Sequence, residues 1–184
     1  MSNNVSQWMS WDSGVDLAAQ IDGNEGSMIL VHVAAMVHTP VGSAPSGMVM
    51  IQESADAAPS VIGFVSSNPS VGAYFGPNIF AGTPFEHAPV LDASIEVNKG
   101  VGSCSATVTI GGTVIKVVMD QLGDTIRANR AAGEHSPFAQ QALERAAGNA
   151  SVTINGEAKM ITIPPAAEGA PPSAAFTPAG IYSR

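Results

Sequence analysis

The sequence predicts an α+β fold, with a mostly antiparallel, curved sheet of six to eight strands, two or three helices and an extended C-terminal arm. Residues 90–97 and 104–110 alternate apolar and polar side chains, as half-buried strands do. A Gly-Gly pair at 111–112 and an Asn-Gly pair at 155–156 separate strand-like runs, and such pairs favour hairpin turns. The predicted strands and helices do not alternate regularly, as they would in a parallel sheet.

The first third of the chain is expected to hold one short helix followed by three strands. Residues 13–21 suit a helix because a serine can cap its start and a glycine lies two residues beyond its end. Residues 28–38 are rich in Val and Ile and predict a strand, and a connection with two prolines leads to a returning strand at 48–53. Residues 61–66 are predicted to form the third strand.

Residues 68–85 are expected to form one or two short helices and a loop. Asn68-Pro69 suits a helix start, with the asparagine as cap and the proline at the first helical position. A Gly-Pro pair at 76–77 would end or kink that helix.

The second half of the chain is expected to contain two helices before the arm. In residues 137–147, apolar side chains recur at helical spacing between a Ser-Pro start and a Gly-Asn stop. A shorter helix is predicted over residues 124–132. Five prolines then fall within residues 164–178, a composition that cannot build its own core. The chain is therefore divided into a single α+β domain, residues 1–163, and a Pro/Ala-rich arm, residues 164–184, that docks on the body or on a neighbouring subunit.

The charge distribution argues against a surface that binds polyanions. Residues 1–98 hold nine acids and no Lys or Arg, a net charge of −9, whereas the remainder holds six acids and seven bases, a net of +1, for a total of −8. Nucleic acids are bound by clustered Lys and Arg, so no nucleic-acid partner is expected. Only 12% of residues are charged, and a weakly charged surface favours association, so a homo-oligomer is expected.

The single cysteine, Cys104, allows no intramolecular disulfide and fits a reducing compartment. It is expected on the apolar face of its strand as a small hydrophobe, without a nucleophilic role. The N-terminus shows no secretory signal, and the longest apolar run, residues 28–37, is too short to span a bilayer. A cytoplasmic protein with no membrane partner is therefore expected.

Three residues are candidate catalytic groups: His87, Glu86 and His32. Glu86 and His87 directly follow residues 68–85, which we call the aromatic segment because they hold four of the ten aromatic residues of the chain. They are expected in a loop of the kind where function concentrates, and histidine suits proton transfer near neutral pH. The alternatives are a plain surface turn for Glu86-His87 and a hydrogen-bonded wall residue for His32. His32 and His38 are expected on one strand face about 20 Å apart, too far to share a metal. His135 is expected in solvent near a helix start.

An apolar pocket between the curved sheet and the aromatic segment is the candidate ligand site. The aromatic segment would close the pocket, and methionines would line it. The candidate ligand-binding residues are Tyr74, Phe75, Phe80, Phe85, Met36 and Met50, with Met48 and Met119 as further lining candidates. These methionines are also consistent with core filling, their commoner role.

Three functional hypotheses follow. The first is an oligomeric domain that binds a small apolar ligand. The second is an enzyme on the same scaffold, with His87 or His32 as general base and a carboxylate such as Glu53 or Asp92 to orient it. The third is a structural or assembly protein that uses the C-terminal arm. No phosphate-binding loop, dinucleotide fingerprint, zinc motif, EF-hand loop or nucleophile elbow occurs, so no cofactor or metal is expected.

Overall fold

The computed structural model describes residues 7–133 and 136–184, and these residues form one mixed sheet of thirteen strands that nearly closes into a barrel. The strands are β1 (Trp8–Ile21), β2 (Met28–Thr39), β3 (Gly42–Gln52), β4 (Val61–Ser66), β5 (Val90–Asp92), β6 (Ser94–Lys99), β7 (Ser103–Ile110), β8 (Thr113–Leu122), β9 (Ile126–Arg130), β10 (Ala139–Ile154), β11 (Glu157–Lys159), β12 (Ile161–Thr162) and β13 (Ala174–Ser183). His135, expected in solvent, lies outside the described residues.

The two ends of the sheet are consecutive in the chain. The strand order is β5-β4-β3-β2-β1-β13-β10-β8-β7-β6, with β9 and β11 also paired to β10 and β12 paired to β1. Every pairing is antiparallel except that of β4 with β5. Only Ala93 separates β5 from β6, and its N–H donates to the carbonyl of Ser66 at 3.1 Å. The segment from Val90 to Lys99 therefore joins both edges of the sheet.

Two apolar clusters lie on opposite faces of the first half of the sheet. Val49 and Val65 belong to the cluster inside the barrel, whereas their neighbours Met48 and Phe64 belong to the outer cluster. Successive side chains of a strand point to opposite faces, which accounts for this division. The inner cluster also contains residues of β7, β8 and β10, so the two halves of the sheet bury it together. The outer cluster is covered by residues between β4 and β5.

The covering segment contains the only helices of the described residues. Helix α1 (Pro69–Tyr74) begins as predicted, since the side chain of Asn68 accepts a hydrogen bond from the N–H of Ser70 at 3.0 Å. A π-helical turn, Phe75–Ile79, follows directly. Within the part of the chain that the structure describes, neither helix has the length and apolar character that crossing a bilayer requires.

The α+β prediction is wrong: 61% of the residues lie in strands and 6% in helices. Residues 13–21, 124–132 and 137–147, each predicted to be helical, fall largely in β1, β9 and β10. In β10 burial alternates, with Gln140, Ala142 and Glu144 buried and Gln141 and Leu143 exposed. The backbone of this part of β10 pairs with β13 on one side and with β9 on the other. This tertiary context overrides the helical spacing of its apolar side chains.

The expected C-terminal arm is also absent, because β13 lies in the middle of the sheet between β1 and β10. The arm was predicted because five prolines fall within residues 164–178, and one of them, Pro178, lies inside β13. In the structure the β10–β13 register shifts between Leu143 and Arg145, so Pro178 falls at an irregularity of the ladder. A proline there removes no regular ladder hydrogen bond, which explains how the strand accommodates it.

Candidate functional site

An apolar cavity of about 210 Å³ lies between the outer face of β2–β4 and the covering segment that connects β4 to β5. We call it the aromatic cavity, since six of its eleven lining residues are aromatic. The lining residues are Met9, Leu30, His32, Gly47, Met48, Phe64, Phe75, Phe80, Phe85, Phe138 and Tyr182. They come from strands β1–β4 and β13, from the segment between β4 and β5, and from the residue before β10.

The aromatic side chains of the cavity wall pack against one another. The ring of Phe64 lies 5.6 Å from that of Phe75 and 5.2 Å from that of Phe80. Phe80 in turn contacts Phe138 edge to face at 5.9 Å, and Phe138 lies 4.1 Å from Tyr182. Edge-to-face and tilted contacts are the arrangements that ring quadrupoles favour. The walls are therefore preformed, which reduces the ordering cost of binding a ligand.

One polar side chain in the cavity wall is His32, and its hydrogen-bond partner is Asp16. The register of β1 and β2 places the two residues directly opposite each other. The Nδ1 atom of His32 lies 2.9 Å from Oδ1 of Asp16. The second carboxylate oxygen of Asp16 accepts a hydrogen bond from the hydroxyl of Thr177 at 2.9 Å. The Thr177 hydroxyl oxygen accepts from Nε1–H of Trp11 at 3.0 Å.

The direction of this hydrogen-bond chain determines the tautomer of the histidine. Indole Nε1–H of Trp11 is a donor only, so the Thr177 oxygen accepts there and its own proton goes to Asp16. The carboxylate of Asp16 then accepts at its other oxygen from Nδ1–H of His32. A neutral His32 therefore carries its proton on Nδ1 and a lone pair on Nε2. Among the described residues, the hydrogen bond of the His32 ring is made through Nδ1, to Asp16.

Two glycines leave space for the side chains that form this series of hydrogen bonds. A Cβ atom on Gly14 would lie 2.1 Å from Oγ1 of Thr177, and one on Gly180 would lie 2.1 Å from the indole ring of Trp11. Such distances are far inside van der Waals contact, so only glycine allows the indole to approach β13 this closely. Trp11 is 7% exposed and Thr177 is 3% exposed, so this end of the hydrogen-bond chain is shielded from water, whereas the side chain of His32 at the other end is 42% exposed.

Tyr182 also lines the aromatic cavity, and its hydroxyl is a second polar group there. Desolvation by burial raises its pKa, the negative charges of Asp16 and Glu144 add to the rise, and Arg130 opposes it. Its hydroxyl therefore stays neutral across the physiological range.

The structure separates the predicted catalytic residues. His87 is exposed in a turn, and the carboxylate of Glu86 accepts a hydrogen bond from the N–H of Gly82 at 2.7 Å. Neither residue lines the aromatic cavity, whereas His32 does. The carboxylate beside His32 is Asp16 and not Glu53 or Asp92 as the sequence suggested.

His32 and His38 do not share a strand face, contrary to the expectation. Ala34 and Val37 both face the outer cluster, because the β2–β3 register shifts between them. This irregularity turns His38 to the opposite side of the sheet, where its Nε2 atom lies 3.1 Å from Oδ2 of Asp12. Across residues 7–133 and 136–184, no three His, Cys, Asp or Glu side chains gather in a way that could hold a metal ion.

The predicted ligand-binding residues divide into two groups. Phe75, Phe80 and Phe85 line the aromatic cavity, as does Met48. Tyr74 is buried beside it, and its hydroxyl accepts a hydrogen bond from the N–H of Trp8 at 3.1 Å. The other methionines lie elsewhere: Met36 is half-buried, Met50 is buried outside the cavity, and Met119 lies inside the barrel.

Sequence reasoning missed the partner of His32 because it placed Asp16 in a helix. A signal was present in the chain. Residues 22–26 read Asp-Gly-Asn-Glu-Gly, a turn composition, and positions 16 and 32 are equidistant from its centre. Had residues 8–21 been recognised as a strand, a hairpin about this turn would have placed Asp16 opposite His32. Leu30 lies two positions from His32, so strand alternation alone places it on the same face. The other wall residues that the sequence did not indicate lie far apart in the chain and carry no such signal: Met9, Gly47, Phe64, Phe138 and Tyr182.

Comparison with protein-family models, with curated protein sequences and with solved structures finds no significant match to this chain.

Proposed function

We propose that the protein binds a small apolar molecule, about the size of one substituted aromatic ring, in the aromatic cavity. The observation that carries this proposal is the preformed space of about 210 Å³ with six aromatic walls. A cavity of about 150 Å³ lined by apolar side chains is enough to hold benzene. The aromatic cavity therefore has room for a benzene ring with small substituents.

Filling the cavity tests the proposal. Leu30 lines the cavity from β2, so Leu30→Trp should occupy the space that a ligand needs. The measurement is the thermal shift that p-xylene produces in the wild-type chain and in this variant. The matched control is Val114→Trp, at a position that is 38% exposed on β8. We expect p-xylene to raise the Tm of the wild type and of the control but not that of Leu30→Trp. Equal shifts in all three proteins, or none in the wild type, contradict the proposal.

A second candidate function is an enzyme in which His32 acts as a general base and Asp16 orients it. The distance of 2.9 Å between Nδ1 and the carboxylate favours this candidate, because an oriented neutral imidazole is the usual arrangement of such a base. It predicts chemical conversion of a bound molecule. Mass spectrometry of candidate ligands after incubation with the protein measures this, and recovery of every ligand unchanged contradicts it.

The homo-oligomer, the cytoplasmic location and the assembly function stay predictions. Deletion of residues 164–184 would test an arm, but it would remove β13 from the centre of the sheet. Light scattering on the intact chain is the better measurement, and a monomer at high concentration contradicts both the oligomer and the assembly function.

A further inference from the structure

We propose that the ligand of the aromatic cavity carries a hydroxyl group, phenolic or alcoholic, that donates a hydrogen bond to Nε2 of His32. This inference rests on the proposed function and specifies the chemical class of its ligand. The relevant juxtaposition is an apolar cavity whose wall contains His32, held by Asp16 in the tautomer with an acceptor at Nε2, together with the hydroxyl of Tyr182.

The first step is the position of His32 relative to the cavity. A smaller depression of about 60 Å³ adjoins the aromatic cavity, and it is lined by Trp11, Gly14 and Asp16 among others. His32 lines both spaces. Its side chain is 42% exposed, so a group beside the imidazole stays close to the cavity mouth. A ligand with one polar end can therefore bury its apolar end among the phenylalanines and keep its polar end at His32.

The second step is the kind of polar group that fits. Asp16 holds the proton of the neutral imidazole on Nδ1, so Nε2 offers a lone pair and requires a donor. A ligand carboxylate would be repelled by this lone pair and by the negative charge of Asp16 on the other side of the ring. An ether or a hydrocarbon has no proton to donate. A hydroxyl group supplies the donor without adding a charge to a mainly apolar cavity.

Isosteric ligands test this assignment. The probes are p-cresol and p-xylene, which differ by a hydroxyl in place of a methyl group, and 4-methylbenzoate as the anion. Their affinities are measured by isothermal titration calorimetry at pH 8. We expect p-cresol to bind about fivefold tighter than p-xylene, the gain of one net hydrogen bond. In His32→Leu that preference should disappear while p-xylene still binds, which also shows that the variant is folded.

The role of Asp16 as a positioning residue has its own test. In Asp16→Asn the amide oxygen accepts from Thr177, and the amide NH₂ donates to Nδ1 of His32, so the imidazole proton moves to Nε2. Nitrogen-15 NMR of the ring should report this change of tautomer. The acceptor-only probe 4-methylanisole should bind tighter to this variant than to the wild type, relative to p-xylene. A purely structural role for Asp16 would change neither readout.

The outcomes are distinct. If p-xylene binds but p-cresol shows no preference, or 4-methylbenzoate binds tighter than p-cresol, the hydroxyl assignment is overturned and the apolar cavity stands. If Asp16→Asn leaves the tautomer unchanged, the role of Asp16 as the residue that positions the imidazole proton is overturned. If neither p-cresol nor p-xylene binds the wild type, both the assignment and the proposed function are overturned. Selective p-cresol binding that is lost in His32→Leu supports both.

Discussion

Arg130 and Glu144 form a two-point ion pair between β9 and β10, and the Glu144 side chain is only 1% exposed. Nη2 of Arg130 lies 2.9 Å from Oε2 of Glu144, and its Nη1 contacts the other carboxylate oxygen. Nε of Arg130 also donates to the carbonyl of Gly169 at 2.9 Å. The hydrogen bond with Glu144 raises the pKa of Arg130. This pair joins the short strand β9 to the connection that precedes β13.

Removing one partner of this pair should destabilise the protein strongly. Arg130→Met leaves the Glu144 carboxylate buried without its cation, which costs about 3–5 kcal/mol of unfolding free energy. The double variant Arg130→Met with Glu144→Leu should lose much less, because no charge is left buried. Urea unfolding measures both. The matched control is Arg127→Met, an exposed position on the same strand, with an expected change within about 0.5 kcal/mol. A single variant no less stable than this control would show that the ion pair contributes little.

Thr177→Val should break the hydrogen-bond chain that orients His32. The substitution keeps the shape of the side chain but leaves Nε1–H of Trp11 and an oxygen of Asp16 without their partner. Each unsatisfied buried group costs about 1–3 kcal/mol, so unfolding in urea should show a loss in that range or above. Thr125 is exposed and serves as the control position, where Thr125→Val should have little effect. Equal stabilities of the two variants would mean that water replaces the Thr177 hydroxyl at no cost.

The cavity wall at Phe64 should respond to truncation in two ways. Phe64 is 1% exposed, so Phe64→Ala should cost about 3–5 kcal/mol of unfolding free energy. The enlarged cavity should favour naphthalene over p-xylene more strongly than the wild-type cavity of about 210 Å³ does. Thermal shifts with naphthalene and p-xylene compare the two proteins. A folded Phe64→Ala with the same preference between naphthalene and p-xylene as the wild type would contradict the assigned position of the cavity.

Stability should fall at alkaline pH through Cys104. Burial raises the pKa of its thiol to about 11, with a further contribution from the charge of Asp16, while Arg145 opposes the rise. The folded state therefore keeps its proton where the unfolded thiol, with a pKa of about 8.5, has lost it. The stabilisation is fully present below that value and is lost as the pH rises to about 11.

The comparison with Cys104→Ala isolates this contribution from the other groups that titrate at alkaline pH. Unfolding free energies of the two proteins are measured from pH 8 to pH 11. The wild type should lose up to about 3 kcal/mol relative to the variant. Parallel pH profiles would show that the thiol is more accessible to water than its 3% exposure indicates.

Local signals predicted the parts of the fold that local geometry determines. The hairpin turn at Asn155-Gly156 has the positive φ values, 51° and 81°, that this pair accepts readily. Asn68 caps α1 through its own side chain. The strand Ser103–Ile110 shows the alternation that sets its buried face. Each of these depends on residues within a few positions of one another, so their physical causes are visible in the sequence.

Only the tertiary structure decided which of the Ala- and Gly-rich segments became strands and where the site lies. The spacing of residues 137–147 suits a helix in isolation, yet the two flanking strands make it part of β10. Trp11 and Thr177 are separated by 166 positions, and their hydrogen bond exists because β13 inserts beside β1. Side-chain periodicity specifies which face of a segment is apolar, but pairing partners depend on the free energy of the whole sheet. For this reason His32 and the rings of residues 75, 80 and 85 were identifiable as candidates from the sequence. Asp16 required the recognition of β1 as a strand, and Thr177, Phe64 and Phe138 reach the site only through the pairing of distant strands.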